Sequence, residues 1–513
     1  MQHSPPKTRL PSTPAHRRTI STLLATSLAC VVLLPLLGHK SLTNWDEGIY
    51  AEVSREMLSG NALVPHWNYQ PWFEKPPLML WITAIFFKLF GVTDFWARAG
   101  SALSGVAIVA LLHHWLIRQK DTLAAWISTL LLLGTFGFLH VCRVGETDVL
   151  LSLGCCIALC GLTAVQQRNL KGWYLLWAGL AIAIMTKGAA SLVLVLTIPV
   201  FIAVELAAER TIDRRNPIRF GKHFWQGLAL FLLAVLPWHL YLFHLYGAAF
   251  VSEYLGFHVL TRATHQIENH ITHWWFYLWV ILISAAPFAL LYPFALFNGL
   301  RRRQLRAWSI FAIITITLFS IAQTRLPHYI APAYPALALL TAVYLSDQLR
   351  QLQHRRPQSP TTFWTTTAVA ALFLSIASAL LTAHPRSHLH EARVGPNIVS
   401  AEKESIQLLR AVSRQPQPTS GPLLVWWEGD ARSIATSVFY AHRPVQQVQP
   451  QPVPLGTPTD KYLFQPQTFD AAVTSTPSLI LLDTYLVSQI PANFTYHRVL
   501  SGRSMEVGYI ARR

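Results

Sequence analysis

The sequence predicts a polytopic α-helical membrane protein of about 11 to 13 transmembrane helices, closed by a small external α/β domain at its C-terminus. Three observations predict it. The 513 residues are 52% hydrophobic and only 13% charged, outside the range of ordinary soluble proteins. Apolar runs long enough to span recur at 20–37, 97–117, 122–140, 149–165, 173–186, 188–206, 224–245, 274–298, 307–322, 329–346 and 362–383. Beyond residue 383 no run is long enough, and Pro, Gln, Thr and Ser become frequent.

Composition narrows the class further. Eighteen Trp, 16 Tyr and 26 Phe suit a chain with many membrane–water interfaces. The net charge of +17 comes from short basic clusters between apolar runs, with no basic soluble face, so we expect no nucleic-acid partner. The cysteines at 30, 142, 155, 156 and 160 have no metal-site spacing and read as small apolar residues inside helices.

The first element is a basic arm, 1–19. A cleaved signal peptide competes with a membrane span for residues 20–37, but the run is long enough to cross. Alternate loops from this arm onward carry twenty Lys and Arg against four acids, Asp121, Glu209, Asp213 and Asp347. By the positive-inside rule that side is cytoplasmic, N-terminus included, and an odd number of spans puts everything after 383 outside. Residues 20–383 then form the membrane domain. The stretch 173–206 is too long for one span and short for two; Lys187-Gly188 at its middle suggests two short spans meeting at a bend.

The outer loops are 38–96, 141–148, 187, 246–273 and 323–328. Within 38–96, Met79 to Phe90 is too short to span and suits an interfacial helix, and Ala51 to Leu58 suits a surface helix. In 384–513, Glu402 to Val412 reads as a helix, Leu423 to Trp427 and Leu479 to Leu482 as buried strands, and Gln446 to Pro458 as a loop. This domain shows no nucleophile–base pattern, and a lid or docking surface is its expected role.

The unusual polar residues all fall in the outer loops. Asp46-Glu47 follows the first span; carboxylates there either cap the helix that follows, or act as base or cation ligand. Phe73-Glu74-Lys75-Pro76-Pro77 holds a lysine in a stiff loop, either snorkelling or binding an anion. Arg143-Val-Gly-Glu146-Thr147-Asp148 carries three charges in six residues, more than a capped turn needs. Lys187 sits among apolar residues and requires a partner such as a phosphate or Asp148. Arg262 and His270 precede an aromatic belt at 274–277. Arg325-Leu-Pro-His328-Tyr329 opens a Pro-containing span and reads as an anion cradle or an interfacial anchor.

Taken in order, five stretches resemble bacterial integral-membrane glycosyltransferases of the GT-C fold, especially the lipid A aminoarabinose transferases and the protein mannosyltransferase-like enzymes. They are Asn44-Trp-Asp-Glu-Gly-Ile-Tyr-Ala51, Phe73-Glu-Lys-Pro-Pro-Leu78, Glu146-Thr-Asp-Val-Leu-Leu151, Thr186-Lys-Gly188 and Arg325-Leu-Pro-His-Tyr-Ile-Ala-Pro332. The resemblance covers roughly 20–346. It implies transfer of a sugar from a polyprenyl-phosphate donor to a lipid or protein acceptor, at the periplasmic face of a bacterial inner membrane. It makes Asp46 the residue that activates the acceptor, with Glu47 beside it, and Glu146 and Asp148 a second acidic element. Lys75, Lys187, Arg262, Arg325 and Tyr329 become candidates for the donor phosphate, with His270 and His328 as further site candidates. A divalent metal ion stays open; Asp46 and Asp148 are the ligands if one is bound. Chemistry agrees: a phosphate leaving group wants surrounding cations, and a carboxylate at a low-dielectric boundary gains basicity. The alternative is a transporter or flippase of a lipid-linked sugar, disfavoured because no internal repeat is visible and the polar residues gather at span ends.

Overall fold

The computed structural model describes residues 15–43, 45–211, 218–254, 256, 273–355, 396–414, 421–426, 434–449, 467–473 and 477–513. The chain folds as two compact units. One comprises Met1–Pro35, Ser101–Arg143 and Thr147–Thr382; the other comprises Leu36–Gly100, Val144–Glu146 and Ala383–Arg513.

The first unit is helical. Each expected span from 20–37 to 329–346 has its counterpart: Ala15–Leu33, Asp94–Arg118, Thr122–Gly134 with Phe136–Cys142, Asp148–Gln166, Gly172–Lys187, Leu192–Thr211, Lys222–Val251, Phe276–Ser284 with Tyr292–Arg301, Arg306–Ile321 and Ala333–Arg355. The expected span 362–383 lies outside the described residues. By length and hydropathy alone, five described helices could cross a membrane, or up to seven if each bent pair is one span.

Two expected spans are broken. The pair Thr122–Gly134 and Phe136–Cys142 bends by 71°, at Thr135, whose backbone is extended and whose hydroxyl donates to the Leu131 carbonyl at 2.7 Å. The pair Phe276–Ser284 and Phe288–Arg301 bends by 119°. Pro287 lies in that break; it lacks an N–H and disfavours helix at the residue before it. A hydropathy window averages over such breaks, which is why 122–140 and 274–298 look continuous in the sequence.

The 172–208 region settles into two legs. As one straight helix its 37 residues would measure about 55 Å, nearly twice the hydrocarbon thickness. Its contacts run otherwise. Lys187 ends the first leg against Asp148, at the start of Asp148–Gln166. Glu205, late in the second leg, meets Arg303 and Arg306 at the start of Arg306–Ile321. Lys187 itself leaves helical geometry (φ −149°, ψ 61°). The first leg packs closely on Asp148–Gln166 because both present glycine: a Cβ on Gly179 would stand 2.4 Å from the Gly154 carbonyl.

The second unit is mixed. Its six-stranded sheet runs β5-β4-β3-β6-β8-β7: β3 (Leu423–Trp426), β4 (Val445–Gln449), β5 (Gln467–Thr468), β6 (Ser478–Asp483), β7 (Phe494–Ser501) and β8 (Met505–Arg512). A short antiparallel pair, β1 (His66–Trp67) and β2 (Gln70–Pro71), lies outside it. The central strand β3 pairs parallel with both β4 and β6, and is buried along its whole length. Covered on both faces, β3 and β6 read as unbroken apolar runs, so they were legible.

Three expectations change here. Residues 36–100 belong with the C-terminal sheet: Leu42, Ile49, Val53, Trp72 and Phe87 share an apolar cluster with Leu409, Val425 and Phe439. A domain drawn at 384–513 alone therefore omits part of its own core. The helix expected at the surface, Asp46–Glu56, is buried over most of its length. Two of its charged side chains are satisfied within the helix, Arg55 binding Glu52 at 2.7 and 2.6 Å, and Glu47 is satisfied by Arg98 from outside it. The Gln446–Pro458 loop begins instead with strand β4, and residues 450–466 lie outside the described residues.

Candidate active site

Glu47 is the hub of the second unit's polar cluster. Its side chain is buried, and its Oε1 accepts from Arg98 Nε (2.7 Å) and the Gly145 N–H (2.9 Å). Its Oε2 accepts from Arg98 Nη2 (2.9 Å), the Thr43 N–H (2.6 Å) and Thr43 Oγ1 (2.9 Å). Arg98 in turn donates to the carbonyls of Leu37 (2.8 Å), Lys40 (2.7 Å) and Ser41 (2.9 Å). This is a loop clamp. It consumes Glu47, which sequence reasoning placed beside Asp46 in the chemistry, in holding residues 37–43.

Asp46 is different. It begins the Asp46–Glu56 helix, where the helix dipole favours a negative charge, and it is half-buried. Its carboxylate makes no hydrogen bond or ion pair among the described residues. The residue before it, Trp45, adopts φ 75° and ψ −122°, a strained backbone for a bulky side chain. Strain of this kind persists only where surrounding structure enforces it, and Glu47 on one side of Trp45 and Thr43 on the other are tied together by two hydrogen bonds. Lys75 and Glu74 are both buried, 3.5 Å apart at their charged atoms.

The helical unit holds the second cluster. Lys187 Nζ donates to both oxygens of Asp148, at 2.7 and 2.8 Å, and stands 4.7 Å from the centre of the Tyr329 ring. The Tyr329 ring also contacts His328 and Phe319. The Tyr277 hydroxyl donates to the Leu326 carbonyl at 3.0 Å, fixing the turn before Tyr329. Gly188 admits the Tyr254 hydroxyl against the backbone: a Cβ there would lie 2.1 Å from it. Arg325 is buried and donates from Nε (3.1 Å) and Nη2 (2.8 Å) to the Ser320 carbonyl, so part of its fork caps the end of Arg306–Ile321.

The predicted residues thus fall into two groups. Asp148, Lys187, Arg325, His328 and Tyr329 belong to the helical unit, and Asp46, Glu47, Lys75 and Glu146 to the mixed unit. The Arg143–Asp148 motif is divided: Arg143 donates to the Leu33 (2.9 Å) and Pro35 (2.8 Å) carbonyls, as a cap for Ala15–Leu33. Arg262 and His270 lie outside the described residues. Arg98 was missed. The signal was present, because an arginine one residue inside the apolar run 97–117 is costly without a partner.

A divalent cation fits these residues poorly. Asp148 and His328 offer ligand atoms within 4.8 Å of each other, yet the Lys187 ammonium already covers both Asp148 oxygens. A metal there would have to displace a like charge.

Comparisons with known proteins agree with this architecture. Residues 74–242 match the family model of the dolichyl-phosphate-mannose-protein mannosyltransferases. The chain is 30% identical over 359 residues to undecaprenyl phosphate-alpha-4-amino-4-deoxy-L-arabinose arabinosyl transferase 2 of Proteus mirabilis, covering 64% of this chain and 60% of that one. The corresponding Serratia proteamaculans transferase is 28% identical over 396 residues, covering 74% and 68%. Among solved structures, ArnT from Cupriavidus metallidurans bound to undecaprenyl phosphate superposes with a TM-score of 0.71 at 21% identity, covering 96% of this chain and 98% of that one. The Archaeoglobus fulgidus oligosaccharyltransferase gives 0.55 at 11% identity, covering 84% and 64%. The fold is that of the GT-C integral-membrane glycosyltransferases. Within that fold, the chain resembles the aminoarabinose transferases and the protein mannosyltransferases.

Proposed function

We propose that this protein transfers a glycosyl group from a polyprenyl-phosphate-linked sugar to a lipid A-like acceptor, at the periplasmic face of a bacterial inner membrane. One observation carries the reading. Of the adjacent acids, Glu47 is held in a five-bond clamp while Asp46, at the head of the same helix, keeps its carboxylate for other work.

In this reading Asp46 takes the proton from an acceptor hydroxyl as that oxygen attacks the anomeric carbon. The new C–O bond forms as the bond to the donor phosphate breaks, and polyprenyl phosphate departs with the electron pair. Lys187, shared with Asp148, supplies positive charge for that phosphate, and Tyr329 sits against the lysine. Lys75 and Arg325 are the further cations proposed for it. The Lys and Arg asymmetry of the loops supports the periplasmic side.

The names of the relatives make undecaprenyl-phosphate 4-amino-4-deoxy-L-arabinose the donor to test first, and the family resemblance of the motifs makes lipid A the acceptor to pair with it. Purified protein with that labelled donor should move label to lipid A, and Asp46→Asn should abolish the transfer while expression and folding persist. Label that stays on the carrier with wild type, across lipid and protein acceptors, would overturn the proposal.

A further inference from the structure

The C-terminal part of the chain contacts the segment that leads into Asp46. In the last turn of the Ile434–Ala441 helix lies Tyr440, buried, whose hydroxyl accepts from the Leu42 N–H at 2.8 Å and donates to Asp94 Oδ1 at 2.8 Å. Arg410, from Pro396–Ser413, pairs with the other Asp94 oxygen, donates to the same hydroxyl at 3.2 Å, and lies 4.6 Å from the Tyr440 ring centre. Leu42 is the residue before Thr43, and Thr43 is held by Glu47 through both its N–H and its hydroxyl. Two successive backbone positions just upstream of Asp46 are therefore pinned, one by Glu47 and one by Tyr440.

A second contact comes from the same helix. A Cβ on Gly48 would stand 2.9 Å from Thr436 Cγ2 and 3.2 Å from the Thr436 nitrogen, so the first turn of Asp46–Glu56 rests directly on Ile434–Ala441. The strained Trp45 backbone lies between these two restraints.

We propose that Tyr440, supported by Asp94 and Arg410, is a positioning residue that holds the Asp46 loop, and that the C-terminal region is thereby part of the catalytic apparatus. This rests on the reading of Asp46 as the base. Tyr440 does not touch substrate in this account. It sets where the carboxylate stands, and a small displacement of a reacting group is costly to turnover while leaving binding intact.

The test uses the full chain in lipid nanodiscs, with undecaprenyl-phosphate 4-amino-4-deoxy-L-arabinose and lipid A. Tyr440→Phe keeps the ring and removes the hydroxyl. We expect kcat to fall about tenfold with donor and acceptor KM within about twofold of wild type. A wild-type kcat for Tyr440→Phe, with Asp46→Asn inactive, overturns the positioning role and leaves the base assignment standing. An active Asp46→Asn removes both. If Tyr440→Phe lowers the melting midpoint, Gly48→Ala decides: it should lower kcat, and adding Thr436→Ser, which removes Cγ2 but keeps the backbone contact, should restore part of it. A loss that Thr436→Ser fails to rescue, or no loss at all, overturns the proposal.

Discussion

Arg98 grips Glu47 through two hydrogen bonds, Nε to Oε1 at 2.7 Å and Nη2 to Oε2 at 2.9 Å, across 51 positions of chain. Both side chains are almost wholly removed from solvent. The remaining Nη1 donor bonds the Leu37 and Lys40 carbonyls, so one guanidinium ties Glu47 to the start of the loop that leads into Asp46.

Glu47→Gln should therefore cost stability as well as activity. It leaves Arg98 charged and buried without its counter-ion, a loss of about 3–5 kcal/mol. Arg98→Lys should be nearly as harmful, because an ammonium cannot reproduce the planar fork. Melting midpoints in detergent, beside turnover, check both; a midpoint unchanged by either substitution removes the clamp from the account.

Lys187→Met strands Asp148, 3% exposed at its side chain, and should lower the melting midpoint markedly. Adding Asp148→Leu should recover much of that stability, since a buried pair replaced by apolar groups is often neutral or better. Transfer should stay lost in the double variant. Recovered transfer would mean that neither residue serves the donor.

Gly188→Ala should disturb the same region by a different route, since its Cβ would collide with the Tyr254 hydroxyl. Tyr254→Phe removes that oxygen and should restore part of the lost activity. An unaffected Gly188→Ala would show that the Tyr254 contact yields without consequence.

Glu56 supplies a pH dependence. Burial, with the nearby Glu52 carboxylate adding to it, pushes Glu56 up to about 8, although its Oε2 accepts from the Tyr69 N–H at 2.9 Å. Arg55 is the cation nearby, and it is committed to Glu52. An acid whose folded pKa is raised binds its proton more tightly when folded, so stability is lost as pH rises from the ordinary carboxylate range towards 8. Glu56→Gln should therefore raise the melting midpoint more at pH 8 than at pH 5. An equal gain at both would refute the shift.

Much of this was legible in the chain. The helices of the first unit were readable as apolar runs, five to seven of the described ones being long and apolar enough to cross a membrane, and β3 and β6 were readable because a doubly covered strand is continuously apolar. The lysine at 187 announced its need for a partner, and Asp148 was among the candidates. The breaks at Thr135 and near Pro287 were obscured because hydropathy averages over one or three residues of lost helix. The Asp46–Glu56 helix looked like a surface element because its charges find their partners in different places, Glu52 on Arg55 within the helix and Glu47 on Arg98 51 positions away, and no local pattern records that.

From sequence alone came the apolar helical class, the order of the helices, the break at Lys187-Gly188 and the motifs that carry the resemblance. These follow from local composition and spacing, which act over a few turns of chain. Only the tertiary structure decided which acid is spent in a clamp and which is left over, that Arg98 holds the loop, and that residues 36–100 share a core with the C-terminal sheet. Those outcomes depend on partners 51 to 398 positions away, such as Arg98 for Glu47 and Tyr440 for Leu42. A charge or a backbone N–H takes whichever partner the fold brings within about 3 Å, and chain order does not encode that distance.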